Sequence, residues 1–346
     1  MGDSASPEEC WRRRDAAGRK RMNIRIPRRQ ALLAAAALAT PRALHAQPAW
    51  PTARPIRLIV PFAAGGPMDA VARLLGPVVG ELLGQQVVVE NRTGGTGIVG
   101  LTEVARAAPD GYTLMITGAS WPVTMLLNRD LPFRMEEFAP LSRLTVAPFV
   151  MVVPASLPVR NLAEFIAEAK KKPGQWSYGT SGIGTTLHMA MEMLKLRAGI
   201  DLVHVPYRGD APAITDVLAE RLQAMFPTLS MARPYIQDGR LRALAVGYTQ
   251  RVAGLPEVPT LTELGYGEVP ASADFGVACA AGVPAPIREK VSEAFRAAVR
   301  QPEAGRRLRD MGILVVGSTA EEFARMLAEE SARYAEVIRA ANITLN

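Results

Sequence analysis

The chain has 346 residues, 49% hydrophobic and 21% charged, a composition ordinary for a globular protein and long enough for two medium domains with sizeable cores. Its formal net charge of +7 sits at one end: residues 1–46 hold ten Lys and Arg against four acids, a net of +6, which leaves +1 for residues 47–346. A body that close to neutral offers no basic surface, which argues against nucleic acid as a partner.

In chain order, Met22 begins a conventional export leader, and residues 1–21 are set aside as an upstream start. Arg25, Arg28 and Arg29 form its positive end, residues 31–39 a short apolar run, and Ala43-Leu44-His45-Ala46 a signal-peptidase site before Gln47. The leader is therefore assigned to residues 1–46, with the signal peptide at about 22–46, and the mature chain is expected in the periplasm. The apolar run is too short to span a bilayer. Arg28-Arg29 keeps twin-arginine export open beside the Sec route, which is favoured.

Residues 57–61 read as a buried strand, and Asp69 as the cap of a helix whose apolar positions Val71, Leu74, Leu75, Val78, Val79 and Leu82 run until Gly84. Strands follow at 87–90, 112–116 and 149–153, the last closed by Pro154. Asn161 with Glu164 then opens a helix to Lys172, ahead of a short strand at 176–178, a helix at about 185–197 and a strand at 202–205. Asp210 is placed as the cap of a helix to Arg221, followed by strands at 222–226 and 241–246. Residues 275–281 read as a return strand, and helices at 286–300 and from Thr319 (capped with Glu322) to Ala341 complete the chain.

This alternation predicts an α/β fold. Lobe one is expected over 47–153 plus 274–346 and an inserted lobe two over 154–273, joined by crossover strands with a cleft between them.

Two glycine-rich turns carry the chemistry. Pro61-Phe62-Ala63-Ala64-Gly65-Gly66-Pro67-Met68-Asp69 and Gly179-Thr180-Ser181-Gly182-Ile183-Gly184-Thr185-Thr186 each follow a strand and open a helix. Backbone N–H groups and the positive end of a helix dipole therefore converge at each. Acid–base equipment is scarce. The mature part has His188 and His204 and a single cysteine, Cys279, in an apolar run that reads as core. Two isolated histidines and one cysteine do not make a usual zinc or iron site.

Gly95-Thr96-Gly97-Ile98-Val99-Gly100 matches a dinucleotide fingerprint, but the next strand ends at Thr117-Gly118 without the acid that holds a ribose. Gly179-Thr180-Ser181-Gly182-Ile183 fails the nucleophile-elbow pattern at its last position. Two anion cradles with so little catalytic equipment point to holding a small carboxylate rather than transforming it. An exported enzyme acting on a carboxylate, or a sensor receptor serving a signalling kinase, stays as the alternative.

The residues also carry a resemblance. Val60 to Asp69 with Ala72-Arg73 is similar to the first signature of the Bug-type solute receptors of tripartite tricarboxylate transporters. So are Val89 to Gly100, Asp110-Gly111-Tyr112-Thr113-Leu114, the Ser181 to His188 turn, Val205-Pro206-Tyr207-Arg208-Gly209 with Ala211-Pro212-Ala213, Gly239 to Ala245, and Pro256-Glu257-Val258-Pro259-Thr260. These motifs run in order from about residue 55 to 345.

The resemblance implies a periplasmic two-lobed clamshell of the type II binding-protein class, monomeric, without metal or cofactor. It would pass a small carboxylate to membrane transporter subunits. Carried over position by position, it implies a ligand site at Phe62, Ala64, Gly65, Gly66 and Asp69 of lobe one, with Asp69 divided between helix cap and ligand contact. From lobe two it implies Ser181, Gly184 and Thr185. Ser120 and Trp121 are added after the 112–116 strand, where a cleft-lining ring would favour a flat or apolar ligand body and a buried one would be core. Thr228 stands where the family often places an acid. Arg92, Arg208 and Tyr207 could neutralise a ligand, with a salt bridge inside one lobe as the expected use of each arginine.

Overall fold

A computed structural model describes residues 50–345 apart from 119, 129 and 270, and without the side chains of Thr96 and Ser120. The leader expected over 1–46 lies outside the described residues. β1 (Ile56–Val60) is buried at every position but Arg57. α1 (Pro67–Leu83) turns Val71, Leu75 and Val79 inward at helical spacing and stops at Gly84, whose φ of 69° is left-handed. β2 (Val87–Asn91), α2 (Ile98–Ala105), β3 (Thr113–Gly118), α3 (Ser120–Leu127) and β4 (Phe138–Pro148) follow. The middle of the chain builds β5 (Val150–Pro154), α4 (Leu162–Lys171), β6 (Ser177–Thr180), α5 (Thr186–Ala198), β7 (Val203–Pro206), α6 (Asp210–Leu218), β8 (Ala224–Met225), α7 (Leu229–Gln237) and β9 (Leu241–Val246). The chain ends with β10 (Ser272–Ala280), α8 (Ala285–Arg300), α9 (Pro302–Asp310), β11 (Leu314–Val315) and α10 (Ala320–Ala340).

The strands form two sheets, in the orders β11-β4-β10-β3-β1-β2 and β7-β6-β8-β5-β9. Each contains a parallel trio with its first strand in the middle, β2-β1-β3 and β7-β6-β8, extended by antiparallel strands. The helices between the parallel strands are the crossovers such pairing demands. The chain passes between sheets twice, at Phe149 and over residues 247–271. At the first passage the Phe149 N–H donates to the Ala271 carbonyl at 3.0 Å and its carbonyl accepts from Gly247 at 2.8 Å, so the two crossing segments are joined. This is a mixed α/β, two-lobed architecture with crossover strands.

Several local expectations are met by the capping chemistry. Asn161 accepts from the Glu164 N–H at 2.8 Å, and Thr319 and Glu322 form a reciprocal capping box. Asp69 and Asp210, by contrast, cap nothing from the N-cap position. Their helices start at Gly66 and Gly209, one turn and one residue earlier, and both glycines lack a side chain for the purpose.

The strand expected at 149–153, at the end of the first segment of lobe one, is β5, and it pairs with β8 and β9 in the second sheet. The strand that completes the first sheet is β4, over a stretch to which the sequence analysis assigns no element and which carries Pro140 and Pro148. Pro140 is tolerated because β11 pairs with β4 only at Thr145 and Val146, so β4 has no second neighbour at that point. The short helices α3 and α7 were likewise not anticipated.

The cores follow the sheets. One cluster, with Tyr178, Phe149 and Phe165 at its centre, fills the second sheet and takes in Tyr334 and Val337 of α10. Another, around Leu58, Leu114 and Phe295, fills the first. Cys279 is fully buried in that cluster, on β10. Among the described residues no helix is long and apolar enough to cross a membrane.

Candidate functional site

In sheets of this winding the carboxyl end of the first strand, where neighbouring connections leave in opposite directions, is the natural place for a ligand. The two glycine-rich turns stand there, one after β1 and one after β6. In the first turn Gly65 has φ +85°, with open space where a Cβ would sit, and Gly66 is the N-cap of α1. With no capping side chain, the Met68 and Asp69 amides in the first turn of α1 lack a helical partner and point outward.

The loop is held from behind by Asp69. Its Oδ2 accepts from the Gly65 N–H and from Arg73 Nε, each at 2.9 Å, and its Oδ1 accepts from Asn91 Nδ2 at 2.9 Å. Asn91 Nδ2 also donates to the Phe62 carbonyl. Burial works to raise this carboxyl's pKa, but the hydrogen bonds from Arg73, Gly65 and Asn91 together outweigh it and hold the group below the ordinary aspartate value. The Gly95–Gly100 stretch serves the same loop. A Cβ at Gly97 would stand 3.6 Å from the Phe62 ring, and one at Gly100 only 2.9 Å from Pro61, so α2 packs directly under the turn.

The second turn has its own brace. Thr185 caps α5, accepting from the His188 N–H and donating to the Gly182 carbonyl at 2.9 Å. His188 Nδ1 accepts from the Gly184 N–H at 3.2 Å, which leaves the ring proton on Nε2. His204 Nε2 lies 2.7 Å from Thr180 Oγ1, and the two imidazoles stack at 3.9 Å with the Tyr178 ring beside them, 5.0 Å from His204 and 6.4 Å from His188. Burial pushes His188 down to about 3 and His204 to about 4, so both rings are neutral. The Gly184 amide and the Thr185 hydroxyl proton are therefore spent inside the turn. What remains to face a ligand is the first amides of α5, at Thr186 and Leu187, while the Ser181 side chain bonds the Asp210 carboxyl.

Both turns line one cavity of about 350 Å³. It receives Phe62, Gly66 and Met68 from the first and Ser181, Gly184 and Thr185 from the second. Hollows of about 570 Å³ beside Gly84 and about 510 Å³ between Ile98 and Leu131 are larger, but neither is reached by both turns.

Of the residues expected at the site, Phe62, Gly66, Ser181, Gly184 and Thr185 are brought together here. Ala64, Gly65 and Asp69 do not line the cavity; Gly65 and Asp69 bond to each other instead. Trp121 does not either: it is 3% exposed and packs edge-on against Phe138 at 5.3 Å, so its ring is core and carries no argument for an aromatic ligand. Thr228 stands at the start of α7 with its hydroxyl 3.2 Å from Ser230, away from the cavity. The Ser120 side chain is outside the described residues. Arg92 pairs with Glu90 and Glu103 within the first lobe, and the Tyr207 hydroxyl donates to Asp216.

Sequence reasoning missed Thr124 and Leu127 of α3, Asn128 just after it, Phe275 of β10 and Asp210 of α6 as lining residues. Thr124 and Leu127 lie on the unanticipated helix and Asn128 directly follows it, and Phe275 is contributed by a strand from the far end of the chain. Asp210 had a sequence signal, an acid directly after Gly209, but that signal reads equally well as a helix cap. Among the described residues no histidine, cysteine or lysine lines the cavity.

Residues 71–343 match the family described as tripartite tricarboxylate transporter family receptor. The chain is similar to protein BugT of Bordetella pertussis, at 33% identity over 89% of this chain and 94% of that one. It is also similar to the structure of the periplasmic binding protein BugD, at 31% identity and a TM-score of 0.69, covering 84% of this chain and 99% of that one. Two liganded structures from Rhodopseudomonas palustris are close as well. One holds adipate, at 30% identity and TM-score 0.72 over 85% of this chain and 99% of that one. The other, MatC, holds malate, at 29% identity and TM-score 0.69 over 83% and 99%.

Proposed function

The chain belongs to the tripartite tricarboxylate transporter family of receptors, binding proteins rather than enzymes, and from that premise we propose that its cavity captures a small carboxylate in the periplasm and delivers it, as a monomer, to the membrane subunits of such a transporter. One observation carries the reading: the N-terminal ends of α1 and α5, from opposite sheets, open on the same cavity of about 350 Å³. First-turn amides without a helical partner and the positive ends of two helix dipoles favour a negative guest. The volume suits molecules the size of the adipate and malate held by the two R. palustris relatives.

We divide the lobes at the crossovers, 50–149 with 272–345 and 150–271, one sheet each. A ligand spanning the cavity touches both lobes and biases their hinge toward closure through the contacts available only in that state. The turns, not charged side chains, are the anion receptors, with Asp69 and the histidine pair holding them in shape.

A thermal-shift screen of small acids against neutral sugars and cations tests this, because a ligand bound only by the folded protein raises the melting temperature by mass action. Carboxylates are expected to raise it and the others to leave it unchanged. A shift from sugars or cations with none from any acid overturns the ligand class; turnover of a bound acid by the purified protein overturns the receptor role.

A further inference from the structure

α10 turns one stripe inward at helical spacing: Phe323, Leu327, Glu330, Tyr334 and Val337. Its two ends pack on different lobes. Phe323 and Leu327 join Ile59, Met115 and Ala278 of the first sheet, whereas Tyr334 and Val337 join the core of the second. Arg197 of α5 ties the second end down through Glu336 at 3.3 Å. Glu330 stands midway, an acid among apolar and aromatic neighbours, where the helix passes from one lobe to the other.

Glu330 is only 6% exposed, and its Oε2 is buried without a hydrogen-bond partner, as is the Tyr334 hydroxyl one turn on. The charged groups on the elements around it are engaged elsewhere. Between β4 and β10, Arg143 Nε donates to Asp274 Oδ1 at 2.5 Å, and Ser272 Oγ at the crossover donates to Asp274 Oδ2 at 3.0 Å. On α10 itself Arg333 pairs with Glu329 at 3.8 Å. On α5, Lys195 pairs with Glu192 at 2.8 Å, Arg197 with Glu336, and His188 is neutral. α3 and β11 bring no ionisable side chain. Glu330 is thus left without an ion pair among the described residues.

Burial first, then the Asp274 and Glu329 charges, push its carboxyl up to about 8 against the opposing pull of Arg143 and Arg333. An ionised carboxylate buried here regains water only by parting the surfaces that cover it, and those surfaces belong to both lobes.

We propose that Glu330 is a proton-operated latch of the hinge: while its carboxyl is neutral α10 stays packed on both lobes, and once it is ionised α10 gives way at Glu330 and the lobes part. The proposal rests on the hinge in the reading above and not on its ligand class. The sign follows from the folded and unfolded values. Against an ordinary 4.5 in the unfolded chain, the contribution to stability is fully present below pH 4.5 and is lost as pH rises through about 8.

The test uses ligand-free protein, with melting curves and small-angle X-ray scattering recorded from pH 6 to 9.5 for the parent and Glu330→Gln. The parent's melting midpoint is expected to fall by roughly 3–6 °C more than that of Glu330→Gln over this range. Its radius of gyration is expected to grow over the same interval while that of the variant stays constant. Glu330→Met, which continues the apolar stripe, takes the place of the amide variant should that one not fold.

A parent whose midpoint is flat from pH 6 to 9.5 overturns the latch without any variant. A variant that follows the parent's fall overturns it too, as does a parent that loses stability with no change in its scattering. Because no ligand is present, each of these outcomes leaves carboxylate capture standing, and a failed acid screen leaves the latch standing.

Discussion

Removing the Asp69 carboxylate distinguishes a turn held from behind from one whose acid meets the ligand. In Asp69→Ala three donors lose their acceptor: Gly65 N–H, Arg73 Nε and Asn91 Nδ2. Arg73 is 52% exposed and returns to water, so its share is close to zero. The other two are left beside a side chain only 4% exposed, and an unsatisfied donor costs about 1–3 kcal/mol. Asn91 keeps its bond to the Phe62 carbonyl, which holds the total near the lower end, roughly 2–3 kcal/mol.

For a domain of this size that lowers the melting midpoint by roughly 4–10 °C. Asp69→Asn retains one acceptor oxygen and is expected to lose about half as much. Circular-dichroism melts of the ligand-free protein at pH 7 measure both. The sign with pH follows from the direction of the shift. The folded carboxyl titrates below the ordinary value of 3.8, so the brace is complete above that pH and is lost as pH falls through the folded pKa. The Ala variant should therefore lose part of the acid limb of its stability curve below about pH 4. A ligand-free melt that superimposes on the parent's, with affinity alone reduced, refutes the brace and returns Asp69 to the ligand.

Other outcomes follow from the same coordinates. A Cβ at Gly247 would stand 2.1 Å from the Ala271 carbonyl oxygen, backbone against backbone at the crossover, so Gly247→Ala is expected to destabilise by about 3 kcal/mol or more, read as lost soluble yield or a collapsed melt. The buried imidazoles, with folded pKa values of about 3 and about 4 against 6.5 unfolded, contribute fully above pH 6.5 and cost stability as pH falls toward 4. Ring-carbon NMR shifts of His188 and His204 should accordingly stay flat from pH 8 to about pH 5, and a titration midpoint near 6.5 for either contradicts their burial. Cys279 is fully buried with its thiol pushed up to about 12, so a thiol reagent should label it only in denaturant; labelling of the native protein at neutral pH would place it elsewhere.

Local chemistry wrote much of this protein into its sequence. Asn161–Glu164 and Thr319–Glu322 cap their helices through contacts spanning three residues, and Gly84 ends α1 because only its backbone needs the left-handed region. Such signals depend on neighbours in the chain and can be read without a fold. The two glycine turns belong to the same class, and their places after β1 and β6 were legible as strand–turn–helix patterns. So was their sequence similarity to a family of receptors.

Partners far apart in sequence decided the rest. Whether Asp69 faced a ligand or the loop depended on Asn91, which arrives on β2; whether the Gly184 amide was free depended on the orientation of the His188 ring, itself stacked on His204 from β7. Trp121 became core because Phe138 opens the unanticipated β4, and residues 150–154 joined the second sheet because β8 and β9 were there to pair with them. The sequence by itself determined the capped and periodic elements and the two amide-bearing turns, since capping and periodicity act over a few residues. Only the tertiary structure decided which donors stay unspent and which acid faces the cavity, because hydrogen-bond satisfaction and burial are set by whatever the fold packs against each group.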